Sequence, residues 1–84
     1  MKKVIIYSKD YCPYCDRAKN YFKSKEIPFQ EIDVTQDEAL FDEMLKKSNG
    51  RRTVPEIFIG DYHVGGWDDL YALIQEDRLN KLLE

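Results

Sequence analysis

Apolar residues recur along the chain with two different spacings, and these spacings predict the secondary structure. Residues 3–8 (KVIIYS) are apolar and β-branched without clean alternation, which is typical of a short strand buried on both faces of a sheet. Residues 28–34 alternate between apolar and polar side chains and indicate a second strand. Residues 53–59 and 62–64 flank a Gly-Asp turn pair, and this pattern predicts a β-hairpin.

A first helix is predicted between the first two strands. Cys15, Ala18 and Phe22 recur at helical spacing, and we expect the helix to run to about Lys25. Pro13 stands in its first turn, where a proline is favoured because its missing N–H costs nothing.

Two further helical regions follow. The first has Thr35 as its predicted N-cap and Glu38 as its capping-box partner, and it ends at residues 49–50. The second opens at one of the two aspartates at residues 68–69 and has a predicted break near Asp77. The apolar side chains that we expect to face the sheet from these helices are Leu40, Phe41, Met44, Leu45, Leu70, Leu73, Ile74, Leu79, Leu82 and Leu83.

The order of these elements, β-α-β-α-β-β-α, predicts an α/β fold. The initial βαβ unit should have parallel strands and a right-handed crossover, whereas the second half closes with an antiparallel hairpin and a helix. We therefore expect a four-stranded mixed β-sheet flanked by helices. A chain of 84 residues has room for one small core, so residues 1–84 should form a single domain.

Composition and charge narrow the class of protein. With 43% hydrophobic and 35% charged residues, the chain is unlike disordered or low-complexity sequences. The net charge of −3 argues against nucleic-acid binding, because such proteins are normally basic. The apolar run at residues 4–7 is far shorter than a membrane helix of ~18 residues or the apolar region of a signal peptide. We expect no membrane contact and a cytoplasmic location.

The two cysteines, Cys12 and Cys15, carry the candidate chemistry. A secreted protein of this size usually has about four to eight cysteines, and a bridge between two such close cysteines would close almost no loop. At the start of a helix, the unpaired N–H groups and the helix dipole stabilise a thiolate. We expect Cys12 to be the exposed nucleophile and Cys15, one turn deeper, to be the resolving thiol in thiol–disulfide exchange.

Other interpretations of the pair remain open at this point. A zinc site usually takes four ligands, and His63 is the only histidine of the chain. An iron–sulfur site shared by two chains, or a purely structural pair, is also compatible with the spacing. We expect His63 to be an exposed or half-exposed strand residue and not a general base, and the sequence assigns it no partner carboxylate.

Three separated segments resemble the dithiol glutaredoxins, a family of the thioredoxin-fold superfamily. They are residues 9–15 (KDYCPYC), 53–55 (TVP) and 65–69 (GGWDD), and their order and spacing match over essentially the whole chain. The resemblance implies a thioredoxin fold and a glutathione-dependent oxidoreductase with no metal. Such an enzyme reduces protein disulfides and protein–glutathione mixed disulfides, with ribonucleotide reductase as a natural consumer, and we expect a monomer.

The resemblance also implies a binding site for glutathione. Pro55 would follow a cis peptide bond, and the backbone of Val54 would pair with the tripeptide as an added strand does. Lys9 and Arg52 would hold the glycine carboxylate, and Asp68 the γ-glutamyl ammonium at a helix N-terminus that receives the neighbouring carboxylate. The full set of glutathione-binding residues implied is Lys9, Tyr14, Arg52, Thr53, Val54, Pro55, Gly66, Trp67 and Asp68.

Trp67 departs from the family pattern, in which a smaller residue is usual. Its side chain would either narrow the γ-glutamyl pocket or join the core. Tyr14 would shield the reactive sulfur.

Two alternative functions stay open. The first is an electron donor recharged by thioredoxin reductase, which the charged residues Lys9, Arg52 and Asp68 disfavour. The second is a dimer that holds an iron–sulfur cluster, which Pro13 and Cys15 disfavour.

Overall fold

The computed structural model describes residues 1–84 and contains four strands and four helices. In chain order, the elements are β1 (Val4–Ser8), α1 (Pro13–Ser24), β2 (Gln30–Asp33), α2 (Glu38–Lys47), β3 (Glu56–Ile59), β4 (Tyr62–Gly65), α3 (Trp67–Gln75) and α4 (Leu79–Leu83).

The strands form one mixed sheet in the order β2-β1-β3-β4. Strands β1 and β2 are parallel, whereas β3 is antiparallel to both β1 and β4. A register shift between Ile57 and Phe58 marks an irregularity where β3 pairs with β4. The predicted four-stranded mixed sheet with flanking helices is confirmed.

Each face of the sheet carries its own hydrophobic core. Side chains of the central strands alternate between the two, so that Ile57 and Ile59 join one cluster while Phe58 joins the other. The larger cluster packs against α1, α3 and α4, and the smaller one contains Met44 of α2. This double burial explains why β1 shows no clean alternation in the sequence.

The start of α2 differs from the prediction. Its N-cap is Asp37, whose side chain accepts a hydrogen bond from the Leu40 amide at 3.0 Å, and not Thr35. Thr35 instead donates its amide and hydroxyl to the Asp33 carboxylate and accepts the Asp10 amide at 2.9 Å. The hydroxyl is therefore committed to the turn before the helix, which leaves the cap to Asp37.

The C-terminal helical region begins earlier than predicted and is divided into two helices. Gly66 is the N-cap and Trp67 the first residue of α3, so neither Asp68 nor Asp69 opens the helix. The predicted break near Asp77 is confirmed, because that residue has a φ of 56° and separates α3 from α4.

Strand β3 is shorter than predicted, since it begins at Glu56 and leaves residues 53–55 outside the sheet. This short segment faces the start of α1, as the contact of Val54 with Cys12 described below shows.

No helix in the structure has the length and apolar content needed to span a membrane.

Candidate active site

The two cysteines lie at the N-terminus of α1 and form a disulfide. Their Cα atoms are 5.2 Å apart, which is within the usual range for a disulfide. Cys15 is buried, with 1% of its surface exposed, whereas Cys12 is half-buried. Cys12 is also the N-cap, and its sulfur accepts a hydrogen bond from the Cys15 amide at 3.2 Å. The helix end therefore directs an N–H donor at the Cys12 sulfur, which favours a thiolate there in the reduced protein.

The segment opposite Cys12 has the features that pairing with a peptide requires. The Val54–Pro55 peptide bond is cis, as the resemblance implies. The carbonyl oxygen of Val54 lies 3.9 Å from the Cys12 sulfur. Val54 stands outside β3, and its N–H and C=O make no backbone hydrogen bond. A peptide that pairs with Val54 would therefore bring its own side chains next to Cys12.

A groove of about 400 Å³ runs from this segment to the start of α3. Trp67 lines it and also packs against the larger core and, with ring centroids 5.8 Å apart, against Tyr71. Trp67 therefore joins the core, as one of the two expectations had it, and it also lines the groove. The residues lining the groove are Tyr14, Arg51, Thr53, Val54, Pro55, Gly66, Trp67, Asp68 and Asp69.

Lys9 and Arg52 lie outside this groove and share one aromatic ring. The Lys9 ammonium is 4.9 Å from the ring centroid of Phe41, and the Arg52 guanidinium carbon is 5.1 Å from the same centroid. Both cations are exposed, and neither forms an ion pair with an acidic side chain. We refer to Lys9, Arg52 and Phe41 as the cationic end of the site.

Four charged or titratable side chains form a contrasting network near the start of α3. Arg51 contacts Glu56 (Nε to Oε2, 3.5 Å) and Asp69 (Nη1 to Oδ2, 3.3 Å). Asp69 also accepts the Gly66 amide at 2.9 Å, which ties the network to the α3 N-terminus. Glu56 is fully buried, and its other oxygen lies 2.6 Å from Nε2 of His63. We refer to Arg51, Glu56, His63 and Asp69 as the paired end.

The contact between His63 and Glu56 supplies the partner carboxylate that the sequence did not assign to His63. The ring is half-buried and stacks on Phe58, with centroids 4.8 Å apart. A third partner of Glu56 is Thr53, whose hydroxyl donates to it at 3.1 Å. The sequence could not assign this partner because antiparallel pairing of β3 and β4, and not sequence spacing, brings His63 beside Glu56.

A separate ion pair links α1 to the sheet. Lys19 donates to Glu31 at 2.8 Å and lies 3.5 Å from Asp16. The hydrogen bond from Lys19, together with one from the buried Ser8 hydroxyl, lowers the pKa of Glu31. The same bond raises the pKa of Lys19. Asp16 is thus partly neutralised by Lys19, while the Arg17 guanidinium stacks over the Tyr14 ring at 5.3 Å.

Sequence reasoning passed over four residues near the site: Phe41, Arg51, Glu56 and Asp69. The sequence predicts Phe41 only as an apolar residue of the second helix, and it assigns no role to Arg51. Glu56 follows Pro55 directly, and a carboxylate at the start of an apolar strand was the one available signal for it. No set of three or more His, Cys, Asp or Glu side chains is arranged to hold a metal ion.

A second depression, of about 850 Å³, contains none of the predicted site residues. It lies between the C-terminal end of α1 and α4, with Met1, Tyr21 and Leu83 among its lining residues. Because Cys12 is at the opposite end of α1, this depression takes no part in the redox site.

The chain matches a family of known proteins over most of its length. Residues 4–64 match the model of the family described as Glutaredoxin, and this segment holds both cysteines and the cis-proline. The chain belongs to the glutaredoxin family. Among its relatives, it is 50% identical over 84 residues to Glutaredoxin 3 of Escherichia coli strain K12, with 100% of both chains covered. It is 49% identical to Glutaredoxin 1 of Rickettsia prowazekii, covering 96% of this chain and 86% of that one.

Solved glutaredoxin structures share the fold. A buckwheat glutaredoxin in complex with glutathione superimposes with a TM-score of 0.86 at 33% identity, covering 98% of this chain and 76% of that one. The solution structure of glutaredoxin from Brucella melitensis gives a TM-score of 0.84 at 51% identity, covering 99% and 89%. This chain is therefore a dithiol glutaredoxin, a glutathione-dependent disulfide reductase. The family, fold and activity predicted from the sequence are confirmed.

Proposed function

We propose that the groove and the cationic end together bind one glutathione molecule with its sulfur at Cys12. The cysteinyl residue of the tripeptide pairs with the backbone of Val54. Its glycine carboxylate binds Lys9 and Arg52, and its γ-glutamyl end lies at the start of α3, next to Asp68. The observation that carries this proposal is the free backbone of Val54 with its carbonyl oxygen 3.9 Å from the Cys12 sulfur.

The charges at the two ends of the site support this orientation of glutathione. The glycine end is a lone carboxylate, and Lys9 and Arg52 are two cations without acidic partners. The γ-glutamyl end carries a carboxylate and an ammonium. It is matched by the N–H groups at the α3 N-terminus and by the exposed Asp68, which forms no ion pair within the chain.

The proposed reaction on a protein–glutathione mixed disulfide has two exchanges. The Cys12 thiolate attacks the glutathione sulfur, a Cys12–glutathione disulfide forms, and the protein leaves as a thiolate that takes up a proton. A second glutathione thiolate then attacks the glutathione sulfur of this adduct. Glutathione disulfide leaves and Cys12 is again a thiolate. The net reaction consumes one free glutathione and releases the protein thiol, and the glutathionyl group of the substrate leaves as the other half of glutathione disulfide.

Cys15 is needed for substrates that are themselves protein disulfides. Cys12 attacks such a disulfide, and Cys15 then attacks the Cys12 sulfur, which releases the second substrate thiol and forms the Cys12–Cys15 disulfide. The burial of Cys15 beside Cys12 supports this order of attack. Ribonucleotide reductase is a suitable substrate for this route. That residues 1–84 act as one domain, as a monomer and in the cytoplasm stays a prediction.

The two cysteines can be separated by substitution. Cys12→Ser should abolish activity on both substrate types, because a serine hydroxyl is far too weakly acidic to replace the thiolate. Cys15→Ser should keep activity on a glutathionylated peptide and lose it on a protein disulfide that needs both thiols. Mass spectrometry of the Cys15→Ser protein after turnover should show one added glutathione on Cys12.

Several outcomes would contradict the proposal. Activity retained in Cys12→Ser but lost in Cys15→Ser would reverse the roles of the two thiols. If thioredoxin reductase supported turnover and glutathione did not, the chain would be the alternative electron donor. A coloured, cluster-containing dimer after anaerobic purification would favour the iron–sulfur alternative.

A further inference from the structure

Phe41 stands at the centre of the cationic end. It is half-buried in the first turns of α2, where its amide donates to the Asp37 carbonyl at 2.9 Å, and one part of its ring packs against the smaller core. The ring centroid lies 4.9 Å from the Lys9 ammonium and 5.1 Å from the Arg52 guanidinium carbon. Both distances are within the ~6 Å over which a cation is attracted by an aromatic face. One half-buried ring therefore contacts two exposed cations that come from different segments of the chain.

The cationic end carries two positive charges and no negative one. Two positive charges within about 5 Å of one ring lie within about 10 Å of each other and repel, and no acidic side chain pairs with either. Lysine and arginine also lose much rotamer freedom when they are held in one place. The negative face of the ring offsets part of both costs before any ligand arrives.

We propose that Phe41 is a positioning residue that holds Lys9 and Arg52 together, so that both receive the single glycine carboxylate of glutathione. Phe41 does not touch the reacting sulfur atoms. It sets how strongly the enzyme distinguishes a tripeptide that ends in a carboxylate from one that does not. This inference rests on the proposed binding of glutathione, and it adds a residue and a specificity to it.

The test compares two substrates within each variant. One is a peptide in mixed disulfide with glutathione, and the other is the same peptide in mixed disulfide with the glycine ethyl ester of glutathione. The ester lacks the carboxylate charge and keeps every other group. The quantity measured is the ratio of KM for the ester to KM for the natural adduct. A loss of folded enzyme cancels from this ratio because both substrates meet the same preparation.

Phe41→Leu keeps an apolar side chain against the core and removes the aromatic face. We expect it to raise KM for the natural adduct about three- to tenfold through the loss of two cation–ring contacts, with kcat changed less than about twofold. KM for the ester should change less than about twofold, so the ratio should fall. Phe41→Tyr retains the aromatic face and should keep the ratio of the original protein.

Phe29→Leu is the matched control. Phe29 is also half-buried and packs against a core residue, Phe22, at a centroid distance of 6.1 Å, but it contacts neither cation. Its removal should leave the ratio unchanged. A thermal denaturation curve for each variant shows whether that protein is folded at the assay temperature.

The outcomes separate the inference from the function on which it rests. If Lys9→Met lowers the ratio and Phe41→Leu does not, the proposed binding of glutathione stands and the role of Phe41 is overturned. An equal rise in KM for both substrates in Phe41→Leu would also overturn it, because the side chain would then act only through packing. If the unmodified protein has a ratio near one, the glycine carboxylate is not bound at the cationic end, and both proposals fail.

Discussion

Arg51 and Arg52 are neighbours in the chain and have opposite surroundings. Arg51 lies between two carboxylates, at 3.5 Å from Glu56 and 3.3 Å from Asp69. Arg52 has no acidic partner and rests on an aromatic ring. The same side-chain chemistry thus serves the protein's own structure at one position and leaves a positive charge open to a ligand at the next.

The buried carboxylate of Glu56 accounts for this difference. A carboxylate with 0% exposure is costly unless it is hydrogen-bonded and paired, and Arg51, Thr53 and His63 supply those partners. Arg51 is thereby withdrawn from ligand binding as a free charge. The cationic end has no buried acid, so Lys9 and Arg52 stay unpaired and are available to an anion from outside. The comparison predicts that substitutions at the paired end change stability and that those at the cationic end change KM.

The largest effect should come from Glu56→Ala. It removes the carboxylate and leaves Arg51, Thr53 and His63 without their shared partner, which should lower the free energy of unfolding by about 2–3 kcal/mol. Urea denaturation followed by circular dichroism measures this loss. Glu56→Gln preserves the shape and most hydrogen-bonding capacity and should cost clearly less. A Glu56→Ala protein as stable as the original would show that the paired end is not structural.

Arg52→Gln should produce the opposite pattern. The loss of one exposed, charge-assisted contact should raise KM for a glutathionylated peptide about three- to tenfold. The free energy of unfolding should change by less than about 0.5 kcal/mol, as is usual for an exposed side chain. Steady-state kinetics and urea denaturation on the same preparation check both parts.

The salt dependence of KM tests whether the effect of Arg52→Gln is electrostatic. The distance beyond which salt screens the attraction between exposed charges falls from about 10 Å at 0.1 M salt to about 3 Å at 1 M. The KM difference between Arg52→Gln and the original protein should therefore shrink as salt is added. A difference that is constant with salt would point to a packing effect and against recognition of a carboxylate.

Arg51→Gln should cost about 0.5–1 kcal/mol of stability, because its two ion pairs are long and its side chain is 45% exposed. This cost should depend on its acidic partners. In a double-mutant cycle with Asp69→Asn, the two losses should sum to more than the loss of the double variant. Additive losses would mean that the contact between Arg51 and Asp69 contributes nothing.

The smallest expected effect concerns a charged pair outside the glutathione site, Lys19 and Glu31. The hydrogen bond from Lys19 lowers the pKa of Glu31, so the ionised carboxylate stabilises the fold. This contribution is present above the unfolded pKa of about 4.3 and is lost as the pH falls through the lower, folded pKa. The pKa of Lys19 is raised, so its own contribution is lost only at alkaline pH.

Glu31→Gln should therefore cost about 0.5 kcal/mol at neutral pH, a value reduced for solvent screening of a carboxylate that is 39% exposed. The difference from the original protein should vanish at about pH 2 and leave KM unchanged at neutral pH. Thermal denaturation as a function of pH checks the first point. A difference that persists at acid pH would show that the loss does not come from ionised Glu31.

The sequence by itself determined the elements and the redox chemistry. Alternation, helical spacing and turn residues identify all four strands and the helices. The junction of a strand and a proline-started helix locates Cys12 and Cys15 as a reactive pair. These features could be predicted because they are local, and each depends on residues within one or two turns of the chain.

Only the tertiary structure decided which charges are free and which are committed. Thr35 had the right spacing to cap α2, yet its hydroxyl is held by Asp33, so Asp37 takes that position. His63 acquires Glu56 as a partner through strand pairing. The same carboxylate pairs with Arg51 and leaves Arg52 unpaired. Burial and ion pairing depend on which surfaces meet across the sheet, and spacing along the chain does not encode those meetings.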